Sequence, residues 1–227
     1  MFKVPKIFLS MPVADKPELK TLFSLYQAVA TCGYEVKIYA TEGDSLISRV
    51  RNSHATVFYD EFKDFDYFIS IDSDLEIINK NPNDNIFKKL ISHDLDFVGG
   101  LYALKSSEDE PKTSSLSSSG ENKIPYNTGL VEMDWLSSGC WCLKRSAIKK
   151  MIDHYPELTY DGDGLMSGKK VYGLYVPFIS DMGNDKKKYL SEDWAFAERW
   201  RASGGKIFAD TTILLNHIGK FPYSLWD

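Results

Sequence analysis

An alternation in the first hundred residues constrains the fold more than any other feature of the chain. Short apolar runs, each long enough for one buried strand, alternate with longer stretches of helical periodicity. The runs are "KIFLSMPV" (Lys6 to Val13), "EVKIYAT", "YFISIDSD" and "DFVGGLYAL". Between them lie "PELKTLFSLYQAVATCGY", "DSLISRVRNSHATVFYDEF" and "NPNDNIFKKLISHD". Strands joined by helical crossovers pair in parallel and are covered on both faces. The order therefore predicts an α/β fold with a mainly parallel central sheet flanked by helices. In the first helix Leu19, Leu22, Phe23, Tyr26 and Ala30 recur at spacings of three and four. That stripe is expected to face the core. Pro17 suits the first turn and Gly33 the end. Asp44 or Ser45 is expected to cap the second helix.

The chain changes character after the fourth run. Lys105 to Pro125 is rich in Ser, Glu, Lys and Pro, and reads as a long mobile loop, either a lid or a passive insertion. Patterning returns with a strand, a turn at Ser137 to Gly139, another strand and a helix. A Gly- and Asp-rich stretch follows, with a possible strand at Lys170 to Phe178. "SEDWAFAERWRASGG" reads as a helix with Ser191 as N-cap, Glu192 and Asp193 in the first turn, and Gly204 as the stop. "KIFADTTILLNHIG" closes the domain with a strand or two.

The 227 residues suit one domain. A net charge of -5 with no block of basic residues argues against a nucleic-acid surface. The three cysteines are an odd number and offer no four-ligand zinc set, so Cys140 and Cys142 read as small buried strand residues. No apolar stretch approaches the roughly 18 residues that cross a membrane, and the first run is too short for a signal segment. A soluble, cytoplasmic protein without a transmembrane segment is expected.

The third apolar run stops on Asp72 and Asp74. Ligands of open α/β sheets gather outside the carboxyl ends of the strands. Two carboxylates at i and i+2 on an extended chain point the same way and repel unless a cation joins them. Oxygen ligands suit Mg²⁺ or Mn²⁺, which commonly also hold a diphosphate. An isolated Asp-x-Asp also occurs in ordinary turns. Glu192 and Asp193 fit either helix capping or chemistry. His217, after "TILL", fits either a metal ligand or a satisfied half-buried histidine. Arg49, Arg51 and Asn52 in "SRVRNS" fit phosphate binding or an exposed helix face. A nucleotidyltransferase would carry a Gly-rich basic signature near the first strand, which "SMPVADKP" lacks. A haloacid-type phosphatase would carry Asp-x-Asp-x-Thr on that strand, whereas "DSDLE" follows the third.

Taken in order, "FLSMPV", "SRVRN", "ISIDSD", "FVGGLYALK", "SSGCWCLKRSAI", "LSEDWAFAERWRASGGKIF" and "LLNHIG" resemble the GT-A type glycosyltransferases, in particular the compact single-domain kind of viruses, phages and bacteria. The likeness spans Lys6 to Gly219. It implies a Rossmann-like fold with a smaller acceptor-side sheet. It also implies transfer of a hexose from a nucleotide diphosphate sugar, with UDP the expected carrier, to a glycan acceptor on protein or lipid. Asp74 and His217 would bind Mn²⁺ or Mg²⁺, with Asp72 on the metal through water or on the ribose. Pro12, Val13, Thr41 and Glu42 would hold base and ribose, with Ser73 among the nucleotide contacts. Arg51 and Lys105 would meet the diphosphate or sugar. Gly99 and Gly100 would let backbone approach the sugar, and Trp135, Ser138 and Gly139 would lie near donor or acceptor. Asp193, with Glu192 beside it, would serve as general base of an inverting reaction. A retaining GDP-mannose-dependent enzyme and a non-catalytic nucleotide-sugar or glycan-binding module are the alternatives. The chain then divides into a nucleotide-binding half of about 1–104, the loop 105–125 and an acceptor and catalytic half, 126–227.

Overall fold

The computed structural model describes residues 3–81, 84–106 and 112–225. The first part of the chain forms β1 (Lys6–Val13), α1 (Leu19–Cys32), β2 (Glu35–Glu42) and α2 (Ile47–Asp60). It continues through β3 (Tyr67–Ile71), β4 (Leu75–Ile78), α3 (Ile86–Ser92) and β5 (Phe97–Gly100). Next come β6 (Leu116–Ser117), β7 (Leu130–Trp135), β8 (Cys140–Lys144) and α4 (Arg145–His154). Two hairpins follow, β9 (Thr159–Asp161) with β10 (Lys170–Tyr172), and β11 (Phe178–Asp181) with β12 (Lys187–Leu190). The last elements are α5 (Glu192–Ala202), β13 (Ile207–Asp210), β14 (Leu214–Ile218) and β15 (Pro222–Tyr223).

Eight strands form the central sheet, in the order β2-β1-β3-β8-β5-β13-β7-β6. Six point the same way; β7 and β8 run against them. β1 reads as a continuous apolar run because both its faces are covered. Ile7, Leu9 and Met11 enter one core cluster, and Phe8 enters the other, stacked on Tyr39 and Phe68 at 5.3 and 5.8 Å. A smaller antiparallel sheet, β15-β14-β4, lies at the carboxyl end of β3. Arg145 ties the layers together by donating to the carbonyls of Phe58, Tyr59, Phe62 and Phe65 at the end of α2.

Several local expectations are overturned. Helix α1 buries Thr21, Leu25, Ala28 and Cys32, whereas Leu19, Leu22, Phe23, Tyr26 and Ala30 are exposed. The small Thr21 and Ala28 let the helix approach β4 and α3 closely, and this contact decides its rotation. Asp44 does not cap α2; it accepts from the Leu46 N–H at 2.9 Å and clamps Arg49 at 2.7 Å. Gly99 and Gly100 face no open space. A Cβ there would meet Cys140 O at 2.3 Å and Ile213 Cγ2 at 2.9 Å, so these glycines serve packing across the sheet. Within the described part of Lys105 to Pro125, β6 pairs with β7 and Thr113, Ser115 and Ser117 are buried, while 118–123 are exposed. Residues 107–111 of that segment lie outside the described residues. The three cysteines are free and buried, as the sequence implied.

Candidate functional site

The turn from β3 to β4 carries Asp72, Ser73 and Asp74. Its start is pinned by the Asp72 N–H donating to Gly139 O at 2.8 Å. Residue 139 must be glycine, because a Cβ would lie 2.9 Å from Asp72 Oδ2 and 2.6 Å from the Tyr102 hydroxyl. That hydroxyl accepts from the Gly139 N–H at 3.1 Å.

Asp72 belongs to a buried cluster. Arg51, on α2, donates from Nη2 to both Asp72 oxygens at 2.9 and 3.1 Å, and from Nη1 to Ser70 Oγ at 3.2 Å. Its Nε lies 3.6 Å from Glu192 Oε1 and has no hydrogen-bond partner. Burial opposes the Arg51 charge, but Asp72 and Glu192 outweigh it and fix the guanidinium as a cation. Arg51 is 4% exposed. Its charge is paired with Asp72 and Glu192. Glu192 is pushed above the usual carboxylate range by burial and by Asp193, against the pull of Arg51.

Asp74 belongs to a second, more open cluster. Its Oδ2 lies 2.6 Å from Lys105 Nζ and 3.3 Å from His217 Nε2. His217 Nδ1 lies 2.8 Å from the Ala103 carbonyl, which can only accept, so Nδ1 carries the proton. Nε2 faces the Asp74 carboxylate and donates to it when it too carries a proton. Burial would raise the Asp74 carboxyl, but the bonds from His217 and Lys105 prevail and hold it at about 2.

Among the described residues no group of three or more His, Cys, Asp or Glu side chains is arranged to hold a metal ion. The expected set of Asp72, Asp74 and His217 is therefore not assembled: Asp74 and His217 come together, while Asp72 turns to Arg51. The pair still fits a hard divalent cation, with one carboxylate oxygen and one imidazole nitrogen whose orientation the Ala103 carbonyl fixes. Mg²⁺-type sites commonly use few protein ligands and fill the rest with waters and substrate phosphates.

Asp193 lies in the first turn of α5, where its Oδ1 accepts from the Ser191 hydroxyl and, at 2.8 Å, from the Trp194 N–H. Ser191 occupies the N-cap position but spends its hydroxyl on Asp193 rather than on the helix backbone. Thr41 and Glu42 line a cleft of about 340 Å³ with Asp44, Arg49, Ser53 and residues 163–166. Pro12 and Val13 end β1 buried, Val13 inside the core, and line no part of that cleft. Ser73 turns its carbonyl to the Glu18 N–H at 2.8 Å, fastening the start of α1 to the acidic turn. Trp135 and Ser138 are interior; Trp135 is stacked on Trp194 at 4.4 Å, with Lys188 Nζ over both rings.

Sequence reasoning missed His54 and Tyr102. His54 bridges Ser10 Oγ at 2.8 Å and Thr41 Oγ1 at 2.9 Å, and burial and then Arg51 push it down to about 3. Its place one turn after Arg51 on α2 was the available signal.

No protein-family model and no curated protein sequence matches the chain. Among solved structures, A197 from STIV aligns over 99% of this chain and 95% of its own, with 15% identity and a TM-score of 0.57. This chain is similar in fold to A197. A glycosyltransferase involved in the glycosylation of the major capsid of PBCV-1 aligns over 66% of this chain and 67% of its own, with 13% identity and a TM-score of 0.36. GalNAc-T7, solved with UDP, GalNAc and Mn²⁺, aligns over 99% of this chain and 45% of its own, with 12% identity and a TM-score of 0.47. At these values only A197 bears on the fold, and it agrees with the GT-A-like α/β architecture expected from the sequence.

Proposed function

We propose that the chain is a glycosyltransferase that moves a hexose from a nucleotide diphosphate sugar, with uridine as the base, to a hydroxyl of a glycan acceptor on protein or lipid. The observation that carries this reading is the Asp74–His217 pair, a carboxylate 3.3 Å from an imidazole nitrogen at the carboxyl end of β3. Asp74 and His217 would hold Mn²⁺ or Mg²⁺. The ion supplies neutralisation of the charge that develops on the leaving diphosphate. Lys105, already on Asp74, brings a second positive charge to the same place. Arg51 acts as a positioning residue that fixes Asp72 and Glu192 around the turn.

Asp193 is the base of an inverting reaction in this reading. Its Ser191 and Trp194 hydrogen bonds hold the carboxyl group in place, and it takes the proton of the acceptor hydroxyl. The nucleoside goes to the cleft lined by Thr41 and Glu42.

The test is nucleotide release from a panel of UDP- and GDP-sugars with Mn²⁺, with and without EDTA, in wild type and Asp74→Ala. The expected result is slow, metal-dependent release from a UDP-sugar, reduced about 100-fold or more in the variant. Mn²⁺-dependent nucleotide binding without release, even with glycan acceptors present, would make the protein a binding module. Absence of both binding and release would overturn the reading.

A further inference from the structure

Helix α1 turns an apolar stripe to the outside. Leu19, Phe23 and Tyr26 are 68%, 71% and 74% exposed, and Leu22 is 37% exposed. Lys20 is the only charged residue among the fourteen of the helix, and it leans towards Glu76 at 3.9 Å. A surface helix normally keeps this face polar, so the stripe wants a covering.

Size and charge select the occupant. Leu19 to Tyr26 covers about 10 Å of helix axis. A stable protein interface buries about 800 Å² per partner over some 20–30 residues, and four side chains fall well short. A lipid surface needs no complementary shape. It takes up a helix with one apolar face, and it favours aromatic rings at the headgroup level. Around the stripe, Lys16 and Lys20 are offset by Asp15 and Glu18. Attraction would thus come from apolar area rather than from charge.

We propose that α1 lies flat on a bilayer with Leu19, Leu22, Phe23 and Tyr26 immersed in its interfacial zone. The Glu18 N–H bonded to Ser73 O places the Asp72–Asp74 turn beside the first of these residues. The candidate site then works next to the membrane surface, within reach of an amphiphilic acceptor. This inference stands on the geometry of α1 and does not require sugar transfer.

The experiment is flotation of the full chain with phosphatidylcholine vesicles, at low and high salt, in wild type and in Leu19→Ser/Phe23→Ser/Tyr26→Ser. The three side chains are exposed, and circular dichroism melting is expected to match wild type. Wild type is expected to float at both salt concentrations, and the variant to lose about tenfold or more in bound fraction. Wild type staying with the soluble fraction would overturn the proposal. So would a variant that floats equally well, or binding that needs anionic lipid and vanishes in salt. Dimerisation of wild type without lipid, abolished by the same substitutions, would also overturn it and assign the stripe to a second copy.

Discussion

Asp72 and Asp74 are two residues apart in one turn, yet they live in opposite circumstances. Asp72 is saturated by the protein: both its oxygens take Arg51, which is itself buried and shared with Glu192. Asp74 is a third exposed in its side chain and meets an ammonium and an imidazole nitrogen, partners that a free cation could replace. One motif therefore holds a permanent counter-charge and an exchangeable one. The permanent member keeps the acidic turn folded in the absence of a cation, and the exchangeable member is where a cation is welcome.

The largest effect should come from breaking the permanent side. Arg51→Met leaves Asp72 and Glu192 without their shared cation, and is expected to lose about 3–5 kcal/mol in urea unfolding. A loss under about 1 kcal/mol would put Asp72 in the same exchangeable state as Asp74. Next is the open side. His217→Ala should weaken Mn²⁺ binding at least about tenfold by calorimetry, while Asp72→Asn leaves it nearly unchanged. Equal losses would erase the distinction.

The smallest effects test the sign. A carboxyl held low, as in Asp74, stabilises the fold while ionised; that contribution is present above the ordinary acid range and is lost as pH falls through about 2. A carboxyl pushed up, as in Glu192, opposes folding while ionised and is relieved as it protonates. In thermal melts at neutral pH, Asp74→Asn should lower stability and Glu192→Gln should raise it, each by up to about 1 kcal/mol. Shifts of the same sign would mean the two carboxylates share one environment.

Much of this was legible from the strands. β1, β3 and β5 fall where the apolar runs placed them, because a strand buried on both faces leaves a continuous signature; β2 also falls in place, although as the edge strand it is largely exposed. The rotation of α1 was not legible. Its sequence offers two stripes, Leu19-Leu22-Phe23-Tyr26 and Thr21-Leu25-Ala28-Cys32, and the winner is the one with small residues where β4 and α3 press in. Asp74 and His217 meet as the motifs suggested. The capture of Asp72 by Arg51 depends on α2 packing against β3, a tertiary contact that spacing along the chain does not encode. His54 escaped for the same reason, since its partners Ser10 and Thr41 sit on two different strands.

The position of β8 bears on how such a molecule can come into being. β3 and β5 look like consecutive rungs in the sequence, yet a strand made some forty residues after β5 stands between them, with Cys142 opposite both Ile69 and Val98. The first hundred residues leaving a ribosome carry two strands that cannot close on each other. They must wait, edges bare, for the later partner, which makes assembly dependent on distant pairings and slow. A cut at the seam between the two halves would yield two open sheets rather than two modules.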